Sequence, residues 1–166
     1  GVDRAGRRTG PRPGLLRSFL SDLGLRQQVL PELDSLKGVE QPPTCHFEGD
    51  VWHYTLKVLD NLAKAMQDRP PFLAWATLLH EIGKPQALKA NAGKNFNGHE
   101  LLGATIARGI CERMKMPKTD VQWIQELISD QLKFKSVFEM REATLQRWVL
   151  EPHFKFSLAL HRATAL

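Results

Sequence analysis

An imidazole and a carboxylate stand side by side, His80 and Glu81, near the end of the stretch FLAWATLLHEIGKP (72–85). They are the pair in this chain best suited to chemistry. Residues 72–82 are apolar on nearly every face, the pattern of a helix buried all round. Pro70 and Pro71 suit its first turn, where a missing N–H costs nothing. Gly83 and Pro85 are expected to stop it. Burying such a pair without partners is expensive, which leaves two readings. In one, His80 bonds a backbone carbonyl and Glu81 turns to solvent; in the other, both face a metal ion or a phosphate. His99 falls in the first turn of a later helix, where free N–H groups favour either an anion or plain solvation. Glu48 and Asp50 precede the helix 50–67, and Asp50 also suits a simple N-cap. Deprotonated nitrogen and oxygen donors of this kind suit hard or borderline cations. Cys45 and His46 are adjacent in a connection, but no partner is spaced for zinc.

The elements that must position these groups are helical. LLRSFLSDLG (15–24) and LRQQVL (25–30) have helical spacing, with a Gly stop and a Pro break, and PELDSLKG adds a turn or two. On the helix 50–67, Val51, Tyr54, Val58 and Leu62 share one face, while His53, Lys57, Asp60 and Lys64 share another. That phase leaves His53 exposed. Residues 84–97 read as a polar loop. Asn97 with Glu100 resembles a capping box for a helix to about Lys115, and Thr119 with Gln122 starts the next, to about Phe134. Gln131 is in phase with Ile124 and Ile128, and Thr164 with Phe156 and Leu160. Two last helices cover about 142–151 and 153–165. Trp52, Trp75, Trp123 and Trp148 each fall in a helical apolar pattern and are expected in the core. No alternating run of strand type occurs. The expectation is an all-α bundle of seven or eight helices around the buried helix 72–82.

Composition sets the outer bounds. The length suits one domain with a proper core, and 42% apolar with 25% charged residues is ordinary for a soluble protein. No run approaches the ~18 apolar residues of a membrane span, and no signal peptide is visible. Two cysteines, Cys45 and Cys111, without CxxC spacing suit a reduced, cytoplasmic setting. The net charge is +5, of which residues 1–14 carry +3 through four arginines against one aspartate. This Gly- and Pro-rich stretch reads as a flexible basic arm or linker ahead of a domain at 15–166. Lys133, Lys135, Arg141 and Arg147 could contact RNA, although Glu139, Glu142 and Glu151 are interleaved with them.

Taken in order, GVEQPPTCHFEGDVW (38–52), TLKVLD (55–60), LAWATLLHEIGKP (73–85), FNGHELLGA (96–104), MREATLQRWV (140–149) and LALHR (158–162) carry a resemblance. The chain resembles the HD-type domain C-terminal to the catalytic head of bacterial tRNA nucleotidyltransferase and poly(A) polymerase proteins. The resemblance runs from about Leu15 to the last residue. It implies an all-helical fold and divalent-metal phosphohydrolase chemistry on phosphate esters. It carries metal-ligand and catalytic roles onto His80 and Glu81, and a metal- or phosphate-binding role onto His99. Where the family has further ligands, this chain has Tyr54, Gln131 and Thr164, and Glu81 stands where the family has Asp. The resemblance therefore implies a degenerate site, holding a divalent metal weakly or not at all. The partners it implies are tRNA or another RNA, and a nucleotidyltransferase head whose paired carboxylates and glycine-rich motif are not found in this chain. Two functions follow: a helical module that binds RNA or a partner, or a metal-dependent phosphohydrolase using His80, Glu81 and His99.

Overall fold

The computed structural model describes residues 30–41 and 49–165. The expected helices at 15–24 and 25–30, the basic arm, Cys45, His46 and Glu48 lie outside the described residues. Eight α-helices follow one another within them: α1 (Pro31–Asp34), α2 (Val51–Ala65), α3 (Pro71–Leu79), α4 (Lys84–Ala90), α5 (His99–Arg113), α6 (Lys118–Ser129), α7 (Glu142–Leu150) and α8 (Phe154–Ala165). A 3-10 helix spans Lys133–Glu139 between α6 and α7. The described residues contain no strand, only an isolated antiparallel bridge between Glu40 and Asp50. The fold is all-α, as the periodicity required.

The central helix is α3, and it is buried as its composition demands. Leu73, Ala76, Leu78 and Leu79 are fully enclosed, with α6 packed along one side and α2 along another. The α6 face is Ile124, Leu127 and Ile128, all without solvent contact. Trp75 and Trp148 are buried. Trp52 packs half-buried against the core, and Trp123 meets Phe72 edge-on with ring centroids 4.8 Å apart.

Asp50 caps α2, its Oδ1 accepting from the His53 amide at 2.8 Å. Its Oδ2 accepts from the Gly38 amide at 2.7 Å, so the same carboxylate ties the preceding turn to the helix. Burial works against its ionisation, but the bonds from Gly38 and His53 prevail and lower its pKa. His53 is exposed, as its phase required.

Four local expectations are corrected. The central helix ends at Leu79 rather than Ile82, and His80 is its C-cap. Residues 84–90 are helical rather than a loop. Pro85 occupies the first turn of α4, where proline starts a helix instead of breaking it, and Gln86, Ala87, Leu88 and Lys89 are strong helix formers. Helix α5 is capped by Gly98 at φ +81° with no side-chain cap, so Asn97 forms no capping box. Asn97 braces the loop instead, its carbonyl accepting from Asn91 Nδ2 at 3.0 Å. Pro117 caps α6 in place of Thr119, and α6 stops at Ser129, so Phe134 belongs to the 3-10 helix.

One contact fixes how α4 and α5 approach. A Cβ on Gly83 would lie 2.1 Å from the His99 carbonyl and 2.5 Å from the Gly103 amide. Only a glycine lets the 80–83 turn press on the first turn of α5, and this brings His99 beside His80 and Glu81.

Candidate functional site

His80, Glu81, His99, Tyr54, Gln131 and Thr164 all border one cavity of about 310 Å³. They arrive from five places: α2, the turn after α3, the start of α5, the residues after α6, and the end of α8. Asp50 is not among the lining residues, and its bonds to Gly38 and His53 mark it as structural.

One wall carries the imidazoles. His80 is 1% exposed. Its Nδ1 donates to the Thr77 carbonyl at 2.5 Å, and a carbonyl cannot donate, so the ring proton sits on Nδ1. Burial lowers the pKa of His80, against the pull of Glu81 and the Thr77 carbonyl, so the ring is neutral and Nε2 presents a lone pair. His99 is held the same way, Nδ1 donating to the Phe96 carbonyl at 3.1 Å. The two Nε2 atoms converge on one oxygen, Glu81 Oε1, at 3.6 Å from His80 and 3.7 Å from His99. Neither Nε2 has a hydrogen-bond partner. Backbone carbonyls that fix the distal ring nitrogen are how metal-binding histidines are commonly oriented.

The other carboxylate oxygen is taken. Lys84 Nζ forms an ion pair with Glu81 Oε2 and donates to Gln41 Oε1 at 3.0 Å. The ammonium also lies over the Phe96 ring at 5.0 Å and the Tyr54 ring at 5.7 Å. Burial opposes ionisation of Glu81. The neighbouring His80, the facing His99 and the Lys84 charge outweigh it, and the carboxyl lies far below its ordinary range. Glu81 is thus a buried anion neutralised from within the chain.

The opposite wall is closed by hydrogen bonds. Gln131 Nε2 donates to the His80 carbonyl at 2.7 Å. The Tyr54 hydroxyl donates to the Thr164 carbonyl at 3.3 Å, and Thr164 Oγ1 to the His161 carbonyl at 2.6 Å. His161 stacks on Phe134 with centroids 4.4 Å apart; burial and then the Lys135 charge lower its pKa.

A divalent metal takes several deprotonated nitrogen and oxygen donors. Among the described residues, no group of three or more His, Cys, Asp or Glu side chains is placed to hold one. Two imidazoles are preset, but the third donor shares its charge with Lys84, and the opposite wall presents an amide, a phenol and a hydroxyl. A metal held here would have to compete with Lys84 for the Glu81 carboxylate.

Sequence reasoning missed Lys84, Gln41 and His161 as parts of this site. Lys84 lies three residues after Glu81, a spacing that pairs charges on a helix, and this was the available signal. Reading 84–97 as a loop concealed it. Lys135, read from the sequence as either an RNA contact or a solvated charge, borders the cavity.

The sequence matches the HD domain family over residues 51–157. It is 32% identical over 126 residues to a multifunctional CCA protein of Alkalilimnicola ehrlichii, covering 76% of this chain and 30% of that protein. A multifunctional CCA protein of Halorhodospira halophila is 39% identical over 108 residues, 65% of this chain and 25% of its own length. An A-adding tRNA nucleotidyltransferase of Deinococcus radiodurans is 34% identical over 112 residues, 66% of this chain and 25% of its own. The chain thus spans 25–30% of the length of these curated relatives. With its helical bundle and the HEIGKP turn at the centre, the chain belongs to the HD domain family and is homologous to CCA-adding tRNA nucleotidyltransferases.

Proposed function

We propose that this domain is a binding module that contacts RNA without metal-dependent hydrolysis. The observation that carries the reading is the buried ion pair of Lys84 with Glu81. It places a protein cation on the one carboxylate that the two imidazoles face. A divalent ion there would have to displace the ammonium, leaving a buried charge without its partner, which costs several kcal/mol or about that order. RNA is the partner suggested by the relative named as an A-adding tRNA nucleotidyltransferase, and the partner surface includes Lys135, which borders the cavity. In a longer protein, a nucleotidyltransferase head would supply the nucleotide chemistry and this domain would help to hold its RNA.

A second reading is favoured by a different observation. His80 and His99 Nε2 are both without a hydrogen-bond partner and converge on Glu81 Oε1, as in a phosphohydrolase whose metal is bound by these three residues. Calorimetric titration with manganese, nickel and magnesium separates the two, together with RNA binding measured in excess chelator. The binding module retains its RNA affinity in chelator and takes up no stoichiometric metal. Stoichiometric metal with phosphodiester hydrolysis that disappears in His80→Ala overturns it and installs the hydrolase.

A further inference from the structure

The segment between α6 and α7 reads KFKSVFEMR over 133–141, and its residues sort by a period of three. A 3-10 helix has three residues per turn, so side chains at i and i+3 eclipse each other. Over Lys133–Glu139 this gives three lines. Phe134 and Val137 are half-buried and form the inner one. Phe134 packs on Trp148 with ring centroids 4.7 Å apart and stacks on His161. Lys133, Ser136 and Glu139 form the second line, and Lys133 is already paired with Asp130 at 3.0 Å. The third is Lys135 and Phe138, followed three residues later by Arg141, the N-cap residue of α7. Lys135, Phe138 and Arg141 are all exposed.

That third line stands out on two counts. Phe138 is 100% exposed, although a phenyl ring gains more from burial than most side chains. Single apolar side chains on a surface are ordinary, but this ring shares its line with a cation and not with other apolar groups. Hydrophobic docking faces have the opposite makeup, with charge depleted at their centre. Lys135 and Arg141 make no ion pair with any described residue, so their charge is uncommitted. A rise of about 2 Å per residue sets Lys135 and Phe138 about 6 Å apart along the axis, within the reach of one nucleotide. An aromatic face beside free cations suits a base and its phosphate, since every base has a π-face and an unpaired strand can lay it flat on a side chain. Of this 3-10 helix, only Lys135 borders the cavity of about 310 Å³ and a larger one of about 920 Å³ beside it. Phe138 stands outside both.

We propose that Phe138 is a stacking platform for one base of a single-stranded RNA, with Lys135 and Arg141 holding adjoining phosphates. This rests on the RNA-binding reading and specifies where on the domain the strand lies and which side chain meets its bases. The strand crosses the outer face of the 3-10 helix, and Phe134 anchors that helix from within.

Fluorescence anisotropy on the full chain over a series of salt concentrations tests it. The probes are a labelled single-stranded RNA of about ten nucleotides, within the site sizes of single-strand binders, and the same RNA as a duplex. Phe138→Ala weakens binding of the single strand on the order of tenfold, the scale of one base–aromatic stack, and leaves the slope of log K against log salt unchanged. Lys135→Met instead reduces that slope by about 0.7, one phosphate contact on a single strand. Phe138→Trp keeps the affinity, and the RNA quenches its added tryptophan emission. Phe138→Leu, apolar but not planar, weakens binding as Phe138→Ala does. Thermal melting shows that each variant folds, as expected for exposed positions. Full affinity in a folded Phe138→Ala overturns the proposal and leaves RNA binding standing. So does full affinity in Phe138→Leu, which marks an apolar contact without stacking, or a duplex bound as tightly as the single strand. A dimer that sedimentation detects in the parent and that Phe138→Ala dissolves, with RNA affinity unchanged, gives the ring to a second copy of the chain and overturns it too. No binding of any RNA overturns both this proposal and the function on which it rests.

Discussion

The two walls of the smaller cavity are built on opposite terms. On one, His80 and His99 keep a ring nitrogen without a hydrogen-bond partner, and both converge on a carboxylate already paired with Lys84. On the other, Gln131, Tyr54 and Thr164 each donate to a main-chain carbonyl of the cavity itself. A buried polar atom without a partner is a cost to folding, whereas one bonded to backbone across helices contributes to it. The first wall therefore keeps its capacity to meet a ligand, and the second spends its polar groups on tying α2 to α8 and the residues after α6 to the turn after α3. One cavity lining combines a site with a clamp.

The harshest way to break this contrast is to disturb the contact that places the first wall. Gly83→Ala forces a Cβ into the His99 carbonyl and the Gly103 amide. A loss of about 4 kcal/mol or more is expected, in the exceptional range for a single substitution, with His99 displaced from Glu81. Urea denaturation measures it; a loss under about 1 kcal/mol would mean that the turn and α5 yield easily. Rebuilding the second wall with ligands is the next largest change. Combining Tyr54→His, Glu81→Asp, Gln131→His and Thr164→Asp should raise affinity for manganese or nickel by on the order of 100-fold, the scale of effects seen when metal-site groups are altered. Calorimetry on the variant that shows no gain would place the obstacle elsewhere than in the donors.

Gln131→Leu tests the clamp directly. It removes a 2.7 Å bond to the His80 carbonyl and should cost about 1–3 kcal/mol with RNA affinity unchanged. A variant that folds as well as the parent but binds RNA poorly would reverse the assignment of the two walls. The smallest effect is the pH dependence of the first wall. Folding lowers the pKa of His80 from 6.5, so the unfolded chain binds its proton more readily. Stability is full above pH 6.5 and falls as the pH drops below it, with a slope of at most about 1.4 kcal/mol per pH unit from this one proton. Glu81, also lowered in the fold from 4.5, adds a second loss once the pH passes below that value. His80→Leu should flatten the limb just below pH 6.5 and, because His80 is the first of the groups that lower the Glu81 carboxyl, also weaken the limb below pH 4.5. Denaturation midpoints at half-unit intervals decide it.

How much of this was legible depends on whether a residue's role follows from phase or from a partner. The all-round apolar pattern of 72–82 announced a buried helix, though not its end at Leu79, and Asp50 ahead of an amphipathic run announced a cap. Helical phase turned Tyr54, Gln131 and Thr164 inward, because α2, α6 and α8 each bury one stripe. Phase could not show that Tyr54 and Gln131 bond main-chain carbonyls on other elements, or that Thr164 bonds back to His161 on its own helix. Pro85 was ambiguous between ending α3 and starting α4, since proline fits both positions and only the packing of Ala87 into the interior selects the second. That ambiguity hid Lys84, whose ion pair with Glu81 depends on α4 being helical. The Gly98 cap was hidden for a similar reason: a left-handed residue there lets the loop enter α5 without any side-chain cap.

The contact between Gly83 and the first turn of α5 also limits how the domain can move. Where a backbone passes within van der Waals reach of another backbone, with no flexible side chain between them, the two elements cannot slide past each other. Shear between α4 and α5, a common way for packed helices to widen a cleft, is blocked. Across the cavity stands the 3-10 helix Lys133–Glu139, which has no buried residue, bears Lys135 and is held through side chains alone, Phe134 on Trp148 and His161. Widening of the cleft would proceed as a hinge on that side, with the histidine wall acting as the fixed jaw.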